Sequence, residues 1–144
     1  MTSRATRALV TRDRQGPPAR YPWGSTDPGT SNQYEIYGCH YPSGSGPCTS
    51  VANLAPVGKA AQGSGLWGQL DLGGNLEEWN LDDYVVPYAP GQCTDCAYLT
   101  ASPHRVLRGG NFLEAAATLL PPYRDASAPN ARSGYYGFRC ARVP

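Results

Sequence analysis

The chain has few of the residues that usually build apolar cores and catalytic sites. Its 144 residues include one methionine, two phenylalanines and two histidines, and only 16% of them are charged. No apolar run approaches the roughly 18 residues of a membrane-spanning helix. The opening residues also lack the apolar stretch of about 7–15 residues that marks a secretory signal peptide. The sequence therefore predicts no membrane span, and it shows no targeting signal from which a compartment could be predicted.

Glycine, proline and large aromatic residues are what the chain has instead. There are 17 glycines and 14 prolines, together with ten tyrosines and three tryptophans. Glycine permits positive φ and proline restricts turns, so this composition favours loops and short strands over a helical bundle. Tyrosine and tryptophan can pack a core while their polar atoms satisfy loop carbonyls. The length suits one domain.

Positive charge is concentrated at the start, although the formal net charge is only +1. Five arginines fall within the first twenty residues, where Asp13 is the single acid. A nucleic-acid-binding arm is one interpretation, but no aromatic residue interleaves these arginines. We therefore expect a disordered or irregular basic leader over residues 1–20, a domain over residues 21–144, and no nucleic-acid partner.

Five cysteines leave one unpaired if the others form disulfides. Cys39 and Cys48 bracket a loop of glycine, serine and proline that a disulfide could close. Cys93 and Cys96 form a CxxC motif. Because proline and glycine precede this motif and no helix signal follows it, a structural role in a loop is favoured over redox chemistry. A zinc site made from all four cysteines remains an alternative.

Four sequence motifs carry the strongest signal in the chain. They are YPWG at 21–24, GLWGQLDLGGNLEEW at 65–79, RVLRGGNF at 105–112 and GFRC at 137–140. In this order and spacing they resemble the formylglycine-generating enzyme family, also called sulfatase-modifying factors. The resemblance implies an α+β, C-type-lectin-like fold that is rich in loops and has short antiparallel strands.

Local patterns predict the secondary structure around these motifs. We expect short strands over 66–72, 105–112 and 135–143, the second of them interrupted by its Gly-Gly pair. An alanine- and leucine-rich run predicts a helix over 112–120 that ends at the following prolines. Alternation in the last strand predicts that Phe138 and Cys140 share the buried face.

The resemblance also implies a calcium site in the loop between the second motif's aspartate and its last glutamate. The match assigns four ligands, which are the side chains of Asp71 and Glu78 and the main-chain carbonyls of Gly74 and Leu76. Ca²⁺ takes about six to eight oxygen ligands, and a glycine-rich turn lets carbonyls point inward. Two solvated acids flanking a hairpin are the alternative, and Glu77 is either a further ligand or part of the surface.

A second calcium site of the family is incomplete in this sequence. Asn32 matches one of its ligands, but residues 42–48 contain no aspartate.

Catalytic residues are missing where the resemblance would place them. Active members of the family carry two cysteines shortly after the second Gly-Gly pair, and these bind copper during oxidation of a substrate cysteine to formylglycine. Copper(I) needs such soft ligands, but residues 111–124 contain no sulfur. A related branch holds iron with three histidines, whereas this chain has only His40 and His104. We therefore expect no catalytic residue and no copper.

The resulting prediction is a bacterial-type, non-catalytic scaffold, stabilised by Ca²⁺, that presents its loops to a protein, peptide or glycan ligand. Two alternatives stay open. One is a formylglycine-generating oxidase. The other is an inactive truncated fragment, because family domains usually carry a long segment before the position of Tyr21.

Overall fold

A computed structural model describes residues 19–44, 46–87 and 97–140. Within these ranges the regular elements are short. Three 3₁₀ helices span Ser50–Asn53, Ala61–Gly63 and Ala116–Leu119, and the strands β1 to β4 span Glu77–Asp83, Arg105–Arg108, Asp125–Ser127 and Tyr136–Gly137. The loop-rich α+β fold expected from the sequence is confirmed.

The four strands form one sheet in the order β3-β2-β1-β4. β1 pairs antiparallel with β2, and β2 pairs antiparallel with β3. β4 is parallel to β1 and pairs with its first two residues, Glu77 and Glu78. Since successive side chains of a strand project to opposite faces of the sheet, these two glutamates face different surroundings.

The apolar core lies around Phe112, which is fully buried and packs edge-to-face on Tyr135. Its other buried members are Ile36, Ala55 and Ala60. Buried amides connect the loops around this core. The Asn75 side chain accepts the N–H of Ala55 at 2.9 Å and donates to its carbonyl at 3.0 Å. Each such bond contributes about 1 kcal/mol, so polar loops complete a core too small to hold them by apolar contact alone.

Two Gly-Gly pairs meet where the second and third motifs approach each other. Gly74 donates its N–H to the carbonyl of Gly109 at 2.6 Å. Gly74 has a φ of +66°, and a Cβ there would lie 2.5 Å from the carbonyl oxygen of Ile36. Both the conformation and the close approach therefore require glycine at this position.

The strand expected over 66–72 is wrong, since this segment is a turn followed by irregular backbone. Gly65 donates to the carbonyl of Gln69 at 2.8 Å, which folds the chain back on itself. Asp71 then adopts a φ of +53°, which breaks an extended conformation. The actual strand begins later, at Glu77.

The helix expected over 112–120 is also wrong in kind and length, because only the 3₁₀ helix Ala116–Leu119 forms there. The Asn111 side chain accepts the N–H of Leu113 at 3.0 Å. Such local bonds offer the backbone an alternative to a helix.

The last strand is shorter than expected, and its faces are reversed. It consists of Tyr136–Gly137, and Phe138 is 77% exposed while Cys140 is an exposed free thiol. The Arg139 side chain reaches inward to Glu78. Because neighbouring side chains alternate, Phe138 and Cys140 point outward instead. The expected last strand continued past residue 140, and residues 141–144 lie outside the described part.

The disulfide between Cys39 and Cys48 that the sequence allowed is present. It removes both sulfurs from any zinc site. The predictions for Cys93, Cys96 and residues 1–18 lie outside the described residues. In the part of the chain that the structure describes, no helix is long and apolar enough to cross a membrane.

Candidate functional site

Glu78 of β1 is held by the guanidinium of Arg139. The Nε atom of Arg139 donates to Oε2 of Glu78 and its Nη2 donates to Oε1 at 2.6 Å, which makes a bidentate pair. The same guanidinium donates to the carbonyls of Leu70 and Asp71. Burial lowers the pKa of Arg139, but the hydrogen bond and charge of Glu78 raise it above its ordinary value overall. This arginine therefore joins the end of the chain to the loop before β1.

Two residues of the expected calcium site, Asp71 and Glu78, contact Arg139. Asp71 accepts the N–H of Gly58 on Oδ2 at 2.6 Å, and its carbonyl accepts from Arg139. Both carboxylate oxygens of Glu78 already accept from the guanidinium, so a calcium ion here would compete with it. The calcium site stays a prediction for the four residues that were assigned to it, Asp71, Gly74, Leu76 and Glu78.

Glu77 lies on the opposite face of β1, next to two other carboxylates. One carboxylate oxygen from each of Glu77, Glu114 and Asp125 lies within 4.8 Å of the other two. We call these residues the acidic trio. Glu77 is only 2% exposed, and its Oε1 has no hydrogen-bond partner. Burial, followed by the charges of Glu114 and Asp125, raises the pKa of Glu77 to about 7, against an opposing hydrogen bond from Asn111.

Strand register explains why Glu77 and Asp125 meet. Asp125 lies opposite Leu107, and Leu107 lies opposite Trp79 on its other side. Side chains that pair across neighbouring strands share a face of the sheet, and Glu77 shares that face with Trp79 because it is two residues away. The sheet therefore positions two of the three carboxylates.

A turn after the second Gly-Gly pair positions the third. Glu114 donates its N–H to the carbonyl of Asn111 at 3.2 Å, and Asn111 donates its N–H to Oε2 of Glu114 at 3.1 Å. Gly110 has a φ of +67°, and a Cβ there would lie 2.4 Å from the hydroxyl oxygen of Thr118. The turn thus needs glycine and directs the Glu114 carboxylate back towards the sheet.

The phenol of Tyr123 lies near enough to the acidic trio for the charges of its members to act on it. Its pKa is raised, first by burial and then by the charges of Glu114, Asp125 and Glu77.

A second buried carboxyl, Glu35, lies under the Gly73-Gly74 turn, where a Cβ on Gly74 would approach its Oε2 to 2.9 Å. Burial, and then the charge of Asp71, raise its pKa well above the ordinary value.

Asn32, the residue assigned to the family's second calcium site, is buried with its Oδ1 lacking a hydrogen-bond partner. Its amide nitrogen donates to the carbonyl of His40 at 3.1 Å. The imidazole of His40 lies 3.0 Å from the carbonyl of Gly44, and His104 is exposed. Both histidines belong to loops.

Sequence reasoning missed Glu114, Asp125 and Glu35. Glu77 was recognised as a possible ligand only through its place beside Glu78, and the other acids are too far away in sequence for any spacing to connect them.

Comparison with solved structures defines the class of protein by its fold. The structure of PvdO from Pseudomonas aeruginosa has a TM-score of 0.67 and 21% identity, with 96% of this chain and 50% of that chain covered. Treponema denticola variable protein 1 has a TM-score of 0.55 and 24% identity, with coverages of 91% and 50%. At these identities the likeness establishes a shared fold.

The family follows from sequence. Residues 6–144 match the family described as "Sulfatase-modifying factor enzyme 1-like domain", so the chain belongs to the sulfatase-modifying factor family.

Its relatives have different names. The formylglycine-generating enzyme of Streptomyces coelicolor is 31% identical over 129 residues, with 85% of this chain and 40% of the relative covered. The hercynine oxygenase of Mycolicibacterium smegmatis is 26% identical over 143 residues, with coverages of 85% and 27%. The serine/threonine-protein kinase Pkn1 of Chlamydia trachomatis is 31% identical over 113 residues, with coverages of 73% and 18%. The chain thus spans less than half the length of each.

Proposed function

We propose that this chain is a non-catalytic member of the sulfatase-modifying factor family that binds a protein or peptide ligand on its loops. The observation that carries this proposal is a set of exposed apolar side chains on loops that polar contacts connect. We call it the apolar surface, and its members are Val57, Leu66, Trp67, Leu70 and Phe138.

Trp67 is the largest member of the apolar surface and is 59% exposed. It lies in a tight turn in which Gly68 donates to the carbonyl of Gly65 at 2.9 Å. Water-exposed apolar groups of this kind mark interaction sites, and tryptophan is among the residues that contribute most to binding energy. A tryptophan held on a short turn also loses little freedom when a partner docks.

Polar contacts tie the separate parts of the apolar surface together. Gly58, next to the 90% exposed Val57, is bonded to the Asp71 carboxylate, and Leu70 is bonded through its carbonyl to Arg139. Phe138 directly precedes that arginine. These contacts therefore pre-organise the loops that carry the proposed surface.

The chemistry of the turn at 111–124 supports a non-catalytic role. It contributes the carboxylate of Glu114 and no thiol, whereas copper(I) oxidation chemistry needs thiolates. Of the cysteines that the structure describes, Cys39 and Cys48 are joined in a disulfide and Cys140 is exposed. The competing function is that of a formylglycine-generating oxidase, which its 31% identity to one such enzyme favours.

Calcium at Asp71, Gly74, Leu76 and Glu78 remains part of this proposal. The chemistry of the donor set suits Ca²⁺, since carboxylate and carbonyl oxygens are its usual ligands. The contacts of Glu78 fit the ion less well, because Arg139 already neutralises that carboxylate. The binding role of the apolar surface does not depend on the ion.

A turnover assay separates the two functions. Purified protein is incubated with Cu(I), oxygen and a Cys-x-Pro-x-Arg peptide, and mass spectrometry detects any aldehyde. We expect none above a heat-killed control. Turnover would overturn the non-catalytic role.

Ligand binding is tested by selecting displayed peptides on the full chain and measuring their affinity for two variants. We expect Trp67→Ala to weaken binding by about tenfold or more, since a central tryptophan typically contributes over 1.4 kcal/mol. Leu81→Ala, at an apolar residue of β1 with 46% exposure, is the matched control and should have no effect. Selected peptides that bind Trp67→Ala as tightly as the wild type would contradict the proposal.

A further inference from the structure

The acidic trio presents a charge problem that its own surroundings leave unresolved. Three carboxylate oxygens lie within 4.8 Å of one another, and one of them belongs to a side chain that is only 2% exposed. Carboxylates so close together cannot all ionise unless a proton or a cation joins them. The neighbouring charges that act on Glu77 are both acids, and they disfavour its ionised form.

We propose that Glu77, Glu114 and Asp125 bind one divalent cation of the size and hardness of Ca²⁺. This site is distinct from the loop that contains Asp71 and Glu78, because Glu77 and Glu78 lie on opposite faces of β1. It is also independent of the proposed ligand-binding role.

The unpaired oxygen of Glu77 points to a missing ligand. A buried polar atom without a hydrogen bond costs about 1–3 kcal/mol, and native proteins rarely leave one without a partner. Oε1 of Glu77 is such an atom, and the Glu77 carboxylate contributes one oxygen to the trio. A bound cation would satisfy it and neutralise the neighbouring acids at the same time.

The oxygen donors of the acidic trio limit the kind of cation that can bind there. Oxygen ligands favour hard cations such as Ca²⁺, Mg²⁺ and Mn²⁺ over zinc or copper. Ca²⁺ takes its oxygen ligands at about 2.3–2.6 Å in flexible geometry, whereas Mg²⁺ demands near-ideal octahedral geometry at about 2.0–2.1 Å. The oxygens of the trio lie within 4.8 Å of one another, so small side-chain movements bring all three into contact with one Ca²⁺ ion. Glu114 and Asp125 are half-buried, so water can complete the coordination.

The three carboxylates are oriented before an ion arrives. Asn111 hydrogen-bonds Glu77 through its side chain, and its N–H donates to Oε2 of Glu114 at 3.1 Å. Oδ1 of Asp125 accepts the N–H of Ala126 at 2.7 Å. A carboxylate has two oxygens, so each can keep its protein bond and still offer a ligand atom.

The test is calorimetric titration of the metal-free chain with CaCl₂, using the variant Glu114→Gln/Asp125→Asn. Each amide keeps an oxygen for the hydrogen bond described above but loses the charge. We expect the wild type to bind Ca²⁺ and the double variant to bind it at least about tenfold more weakly at the acidic trio, because calcium affinity follows the charge of the ligands. Asp27→Asn is the matched control, since Asp27 is exposed and its Oδ1 also accepts one backbone N–H, that of Gly29. It should bind as the wild type does.

A second measurement locates the ion. Terbium(III) replaces Ca²⁺ and luminesces when a nearby tyrosine absorbs light, and Tyr123 lies near the trio. We expect Tyr123→Phe and Glu114→Gln to lower this luminescence, and Asp71→Ala to leave most of it. The single Glu114→Gln variant keeps the test valid if the double variant fails to fold. A wild type that binds no Ca²⁺ at millimolar concentration would overturn the proposal. So would unchanged binding in Glu114→Gln/Asp125→Asn, or terbium luminescence lost only in Asp71→Ala.

Discussion

Glu77 and Glu78 are neighbours in the same strand, yet they have opposite electrostatic surroundings. Glu78 meets a guanidinium that binds both of its oxygens. Glu77 meets two further carboxylates and keeps one oxygen without a partner. The sheet separates the two because consecutive side chains of a strand alternate in direction. One face of β1 is thus neutralised by the chain itself, and the other needs a proton or a cation from solution.

The largest change in the free energy of unfolding is expected when Glu78 loses its partner Arg139. Replacing Arg139 by Ala leaves Glu78 and two loop carbonyls without their donor. The pair is partly buried, and losing its charge-assisted hydrogen bonds together costs about 3 kcal/mol. Urea denaturation measures the loss in the free energy of unfolding. Arg132→Ala, at an exposed arginine, should stay within about 0.5 kcal/mol of the wild type. Equal, small losses of stability in Arg139→Ala and Arg132→Ala would show that the contact between Arg139 and Glu78 does not stabilise the fold.

A pH effect is expected on the Glu77 face when EDTA removes divalent ions. The folded pKa of Glu77 is about 7 against an ordinary value of 4.5. Between these values the folded state binds more protons than the unfolded state, so stability falls as pH rises from about 4.5 to 7. The difference between the wild type and Glu77→Gln should change by about 2–3 kcal/mol over that window. A difference that is independent of pH would mean that Glu77 titrates normally.

Calcium provides the third test of the comparison. A ligand that binds only the folded state raises the free energy of unfolding by about 1.4 kcal/mol at ten times its Kd. Asp71→Ala should remove the part of this effect that comes from the site at Asp71, Gly74, Leu76 and Glu78, whereas Glu114→Gln/Asp125→Asn should remove the part that comes from the acidic trio. Thermal melting with EDTA and with millimolar CaCl₂ measures both. A melting temperature that neither EDTA nor CaCl₂ changes would contradict calcium binding at both sites.

The smallest expected change in the free energy of unfolding is that of Asp125→Asn, and its sign distinguishes the two faces of β1. Asp125→Asn in EDTA removes a charge that repels Glu77 but keeps an acceptor for Ala126, so it should raise the free energy of unfolding by about 0.5 kcal/mol. Glu78→Gln should lower it, because it removes the partner of Arg139. The same chemical change would then stabilise one face of β1 and destabilise the other. Loss of stability in both variants would erase the distinction between the two faces.

Parts of this protein could be predicted from sequence because they depend on local chemistry. The Gly73-Gly74 and Gly109-Gly110 pairs were identified from the motifs, and their tight backbone contact explains why glycine is needed there. A disulfide between Cys39 and Cys48 was one of the pairings that the sequence left open, and it closes a short loop. The alternation of 135–143 was recognised, but its direction was predicted wrongly because the pattern alone does not say which face is buried.

The sequence by itself determined the family, the loop-rich fold class and the absence of thiols after the second Gly-Gly pair, since each of these depends on residue identity at a known position. The tertiary structure determined which acidic side chains lie together and which one is neutralised by an arginine. Glu77, Glu114 and Asp125 come together only through the register of β1, β2 and β3 and through a turn at Asn111. Arg139 neutralises Glu78 because β4 lies parallel to β1. Electrostatic energy depends on distance in space, and separation along the chain does not reveal that distance.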